Sequence, residues 1–150
     1  MSKKIGLDCM LYVDATPIAV DADPSASTWD EVKSAKDVSL NLDAGEADVT
    51  TRGNSGWRAT RATLRNAAIE FELAWDTDDT QLCEIRDAYL TGAAIAIAVM
   101  DGDITVAGAE GFVANFRISA FNRNEPLEEG LTASVTAKPE SEHQWYEVEA

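Results

Sequence analysis

The side chains best suited to catalysis or metal binding are sparse in this sequence and poorly spaced for either. His143 is the only histidine; it lies in a polar segment beside Gln144 and Trp145 and reads as a bystander, not a general base. Cys9 and Cys83 form no Cys-x-x-Cys pair and cannot supply a disulfide framework. Cys83 reads as a small apolar residue on a helix. There is no Cys/His cluster and no His-x-x-x-His, so a zinc site has no ligands. No Gly-x-Gly-x-x-Gly or phosphate loop occurs. Asp101-Gly102-Asp103 has the look of half a calcium loop, but the later ligands and the twelfth-position glutamate are missing, and a turn between strands explains it better. Asp76, Asp78 and Asp79 cluster, and a helix start explains them more simply than a carboxylate active site. No nucleophile–base pair is visible. Neither an enzyme nor a cofactor is expected.

The 150 residues carry 45% apolar and 26% charged side chains, the balance of one soluble globular domain spanning 1–150. With 27 acidic and 12 basic residues the formal net charge is −15. A surface so negative repels phosphates, which argues against sequence-specific nucleic-acid binding. The longest apolar run, 93–100, is far short of the roughly 20 residues that span a bilayer, so no membrane insertion is expected. Met-Ser-Lys-Lys is followed by no apolar stretch, so a signal peptide is not expected, and synthesis in a cytosol fits best.

Elements able to position side chains are mostly strands. Val38, Leu40 and Leu42 alternate with polar residues; so do Ile69, Phe71, Leu73 and Trp75 with Glu70 and Glu72. The same period of two runs through Phe112, Ala114, Phe116, Ile118 and Ala120, and through Leu131, Ala133, Val135 and Ala137. Ile95, Ile97 and Val99 are separated only by alanines, which predicts a strand covered on both faces. Residues 7–13 predict a first strand. One helix is predicted over 78–91: Asp76 or Thr77 caps it, Leu82, Ile85 and Tyr89 form its apolar stripe, and Gly92 stops it. Residues 14–28, with Pro17 and Pro24, read as a loop. The segment 139–150 reads as an acidic tail in which Trp145, Tyr146 and Val148 form either a short last strand or an anchor on a neighbour.

Charge is unevenly spread. From Val49 to Ile69 there is no acidic residue, while Arg52, Arg58, Arg61 and Arg65 fall in that window. The window holds a turn, Arg52-Gly53-Asn54-Ser55-Gly56, followed by Trp57, between flanks too polar for core strands. With 37–43 and 66–75 these segments predict one long hairpin, about 37–75, whose far end, about 43–65, leaves the body. Arginine's planar fork suits paired hydrogen bonds to carboxylates, so the arm could dock on the acidic body of an identical copy. The competing reading is a solvated hairpin whose arginines balance local charge.

Val38-Ser39-Leu40-Asn41-Leu42, then Gly45 through Gly53, Gly56-Trp57-Arg58-Ala59-Thr60 through Leu64, and Ile69 through Asp76 resemble the first hairpin of siphophage major tail tube proteins. Ala98-Val99-Met100-Asp101-Gly102, the stretch Phe121 through Glu129, and the strand from Thr132 to Pro139 are similar to later segments of that family. The resemblance implies a β-sandwich or half-barrel with one flanking helix, six-membered rings stacked into a virion tail tube, an acidic lumen that conducts DNA, and a hairpin loop that reaches the adjacent ring. On that basis Glu46, Asp48, Glu70 and Glu72 are expected to be lumen carboxylates. Expected partners are the protein itself and the tape measure, terminator and distal tail proteins. Two other readings remain: a tube subunit of a contractile injection apparatus, and a β-sandwich ligand-binding module using Asp101, Asp103 and Glu110 for calcium.

Overall fold

The computed structural model describes residues 3–18 and 28–149, apart from the side chains of 141–144. The described chain forms seven strands and one α-helix: β1 (Met10–Asp14), β2 (Asp30–Glu31), β3 (Ala35–Asp48), β4 (Thr60–Ala74), α1 (Thr80–Thr91), β5 (Ala94–Met100), β6 (Glu110–Asn124) and β7 (Thr132–Glu147). All strands join one sheet in the order β2-β1-β5-β6-β7-β4-β3, and every pairing is antiparallel.

Alternation dictates what each strand buries. On β4, Ile69, Phe71 and Leu73 are buried, and their partners across the ladder, Ala137, Val135 and Ala133, are buried with them. On β5, Ile95 through Ala98 are buried on both faces, as the alanine-spaced pattern predicts. One core cluster contains Leu11 and Val13 of β1 together with Ile69 and Leu73 of β4, elements far apart in strand order. The sheet therefore curls over its own core as a half-barrel, and α1 lays Leu82, Ile85 and Ala88 into the same core. A smaller cluster, built on Tyr12, Ala98, Met100 and Val113, covers the opposite face at the β1–β5–β6 side. Between β1 and β3 the curl leaves a seam, a groove of about 750 Å³ lined by Leu11, Val32, Leu40 and Trp145 among others.

Several boundaries differ from expectation. Residues 6–8 form a 3-10 turn, and the first strand begins at Met10. The helix begins at Thr80: the Asp79 carboxylate accepts the Gln81 N–H at 3.0 Å and is the cap, while Asp76 accepts the Asp78 N–H in the turn before it. Tyr89 is not in the buried stripe; Ala88 takes that place, and the Tyr89 ring stacks on Phe121 with centroids 6.3 Å apart. Gly92 ends the helix in the left-handed region, φ 72°, as expected. The segment read as an acidic tail continues β7, pairing Phe112 with Trp145 and Gly111 with Tyr146; the bulge between Ala114 and Phe116 lets the strand bend and go on past Pro139. Of the predicted 14–28 loop, 19–27 lie outside the described residues; Ile18 is tied to Asn115 by hydrogen bonds of 2.9 and 2.6 Å.

Candidate functional site

The hairpin arm is built by β3 and β4. β4 pairs with β7 only from Ile69 to Ala74, whereas it pairs with β3 out to Thr60, opposite Asp48. Beyond Ala68 the hairpin is a free two-stranded ribbon, and at about 3.3 Å per residue it extends roughly 26 Å from the sheet before its turn begins. No residue from Asn41 to Asn66 is buried.

The turn holds itself. Thr51 N–H donates to the Asn54 side-chain oxygen at 2.7 Å, Asn54 N–H returns to the Thr51 carbonyl at 3.1 Å, and Trp57 N–H reaches the Asn54 carbonyl at 3.0 Å. Ser55 and Gly56 both take positive φ, 53° and 85°, which reverses the chain. Ala59 N–H donates to the Thr50 hydroxyl oxygen at 2.8 Å. The Thr50 hydroxyl and then its backbone N–H hold the Asp48 carboxyl below the ordinary carboxylate range.

Arg52, Arg58, Arg61 and Arg65 stand on this arm, and among the described residues none forms an ion pair; the four observed pairs all lie on the body and N-terminus. Register pairs Arg61 with Ala47 and Arg65 with Ala44, so these two point to opposite sides of the ribbon. Large apolar side chains are exposed beside them: Trp57 at 78%, Leu64 at 82% and Val49 at 45%. Gly53 contributes no side chain; Arg52, Gly53 and Asn54 form a single 3-10 turn.

The four expected lumen carboxylates do not form one group. Glu70 and Glu72 lie on the face of β4 opposite the core, where paired partners make a continuous polar surface: Ser39, Glu70, Thr136 and Ala120 in one row, and Glu72, Ser134 and Asn122 in the next. Asp43 shares this side, as do Lys138, Arg117 and, bonded to Arg117 at 2.6 Å, Glu140. Glu46 and Asp48 stand on the arm itself and, by alternation along β3, on the side of Leu40 and Leu42.

Two features were invisible to sequence pattern. Trp75, Phe121 and Tyr89 form an aromatic shelf, with Arg123 lying 5.2 Å over the Trp75 ring and its guanidinium 2.7 Å from Glu125. Leu127 is 99% exposed in the β6–β7 loop. Trp75 follows the end of β4 and Phe121 lies near the end of β6, and α1 has to fold back to complete the shelf.

The residues considered for calcium have other tasks. Asp101 accepts the Glu110 N–H at 3.0 Å and pairs with Lys4, and Asp103 accepts both the N–H and hydroxyl of Thr105. No group of three His, Cys, Asp or Glu side chains among the described residues is arranged to hold a metal ion.

Comparison with known proteins gives the fold its context. No curated protein matches the chain. The tail of an empty gene transfer agent particle, solved with C6 symmetry, superposes with a TM-score of 0.75 at 15% identity over 96% of this chain and 99% of that one. The SPP1 tail tube gives 0.72 at 12% identity over 99% of this chain and 81% of that one, and a component of the anti-feeding prophage baseplate gives 0.58 at 8% over 100% and 99%. At such identities the likeness is one of fold. Residues 8–144, however, match the family model described as phage tail tube protein, and the chain belongs to that family.

Proposed function

We propose that this subunit assembles into stacked six-membered rings forming a tail tube in the virion, that the arm joins one ring to the next, and that the polar sheet face lines a channel for DNA. The observation that carries the reading is the free ribbon bearing four unpaired arginines and exposed Trp57 and Leu64 on a chain of net charge −15. A solvated hairpin balancing local charge has no use for apolar side chains so fully exposed, nor for cations that form no ion pair with the carboxylates of the same ribbon. The role is structural, not catalytic, and the subunit is made in the host cytoplasm before joining tape measure, terminator and distal tail proteins.

Ring closure has its own support. β3 presents an edge with no strand beyond it, and on the far side β2 covers only Tyr12 and Val13 of β1. Such edges pair indiscriminately unless a defined neighbour takes them, and joining them between subunits removes both. On the polar face, Asp43, Glu70, Glu72 and Glu140 outnumber Arg117 and Lys138. A wall of that sign repels phosphates, so DNA passes without a binding well. Glu46 and Asp48, on the opposite side of β3, belong to the arm and not to this wall.

Negative-stain electron microscopy of the purified protein tests this: rings or tubes with a central hole are expected, and a strictly monomeric particle at high concentration refutes it. Deleting residues 52–57 is expected to abolish stacking while circular dichroism stays that of the intact fold; tubes that persist show that the arm is not the inter-ring contact. The likeness to the anti-feeding prophage baseplate component supports a second reading, a tube subunit of a contractile apparatus. Binding of a sheath protein, or rings that never elongate, would favour it.

A further inference from the structure

Strand direction places the arm and the most acidic loops at opposite ends of the molecule. The arm leaves the sheet where β1 and β6 begin and where β5 and β7 end. At the other end Ala74, Asn124 and Thr132 lie side by side, and two loops, 75–79 and 125–131, project there. These loops touch: Trp75 N–H donates to the Leu131 carbonyl at 2.9 Å, and Arg123 bridges the Trp75 ring and Glu125. Neither loop contains a lysine or arginine. Asp76, Asp78, Asp79, Glu128 and Glu129 stand in them without an ion pair among the described residues. The surface is more than a set of carboxylates. Leu127 is fully exposed in the 125–131 loop, and Tyr89, 44% exposed, caps the aromatic shelf formed with Phe121 and Trp75.

Each end is the complement of the other. The arm presents Trp57 and Leu64 among unpaired arginines; the far end presents Leu127 and Tyr89 among carboxylates of which, among the described residues, only Glu125 has a basic partner. A subunit cannot satisfy itself, because its arm points away from its own loops. Copies side by side in one ring hold their arms at one level and their acidic loops at another, so they cannot satisfy each other either. Only a copy displaced along the strand direction brings the two surfaces together, a heterologous contact that propagates as a filament.

We infer that the receiving site for the arm is this acidic, aromatic end, formed by the 75–79 and 125–131 loops, on a copy of the same chain in the adjacent ring. The inference rests on the tube reading and names the surface that reading leaves open. Apolar contact of Trp57 with the Leu127–Tyr89 surface supplies the buried centre, and arginine–carboxylate pairs around it set register and exclude inverted stacking, in which arm would meet arm.

The test uses the full chain and scores tubes per field by electron microscopy. The paired change Glu128→Arg with Glu129→Arg is expected to lower tube number at least tenfold while single rings persist. Adding Arg52→Glu and Arg58→Glu to the same chain is expected to restore tubes. Normal tube numbers in the first variant overturn the inference. So does a loss that the compensating charges fail to restore while circular dichroism shows both variants folded. A second measurement does not depend on charge-reversal variants folding. In tubes of the Arg58→Lys variant, carbodiimide treatment is expected to join the introduced amine to a carboxylate of residues 76–79 or 125–129, read by peptide mass spectrometry. Cross-links only to other carboxylates overturn it. Failure of the wild type to form rings or tubes at all is a different result, and it refutes the tube reading itself.

Discussion

Glu84 lies on α1 with Asp14, Asp30 and Asp79 around it, and its Oε2 is buried without a hydrogen-bond partner. Burial first, and then those three like charges, push its carboxyl above the ordinary glutamate range. A carboxyl raised by folding favours the native state in its neutral form; that contribution is complete below the ordinary value of 4.5 and is lost as pH rises through the raised one. Glu84→Gln is therefore expected to raise Tm at pH 7, with the gain vanishing below pH 4.5 in a calorimetric pH series. No gain at pH 7 would show that the charge is relieved by solvent. A second single-residue effect comes from packing. At Gly111 a Cβ would run into the Val99 carbonyl oxygen and lie 2.8 Å from the Met100 Cα. Both are backbone atoms of the paired strand, so Gly111→Ala is expected to cost on the order of 2–4 kcal/mol in urea unfolding. The sequence places this glycine just before the alternating run that begins at Phe112 and does not show its neighbour across the ladder. In the same way Glu84 looks like an ordinary helix glutamate until tertiary contact gathers Asp14 and Asp30 about it.

Elements were legible where one period dominates. The alternation of residues 69–75 and of 112–120 identified β4 and β6, and the stripe of Leu82 and Ile85 identified α1. Ends were less so, because several carboxylates in a row can each cap a helix and only backbone geometry selects one. The selected cap is Asp79; Asp79→Ala is expected to destabilise the protein by about 1 kcal/mol, read as a lower urea midpoint with unchanged slope. An equal loss from Asp76→Ala would mean that the two share the role. β7 was legible in part. The alternating stretch from 132 and the short last strand offered around Trp145 and Tyr146 form one continuous strand, Thr132–Glu147, since the bulge in the β6 ladder absorbs the irregularity near Pro139 and long-range partners outweigh local propensity.

At the scale of the molecule the arm is the least supported part of the fold: its ribbon has partners only within itself. Brief trypsin treatment of the unassembled subunit is expected to cut first after Arg52, Arg58, Arg61 or Arg65, and the same bonds are expected to resist in assembled tubes. Early cleavage at Arg86 or Arg117 instead would mean that the arm packs on the body in solution. Much of this was present in the chain itself. Residue types alone determined a mainly β chain with one helix, a strong negative charge and an acid-free basic stretch from Val49 to Ile69, because alternation, capping and composition act over short distances. Tertiary structure alone decided that Glu46 and Asp48 part from Glu70 and Glu72, that the two sheet edges lie across one seam, and that basic arm and acidic loops occupy opposite ends. A period of two says which residues share a side and which side is dry, but strand order is set by contacts between segments that no local pattern connects.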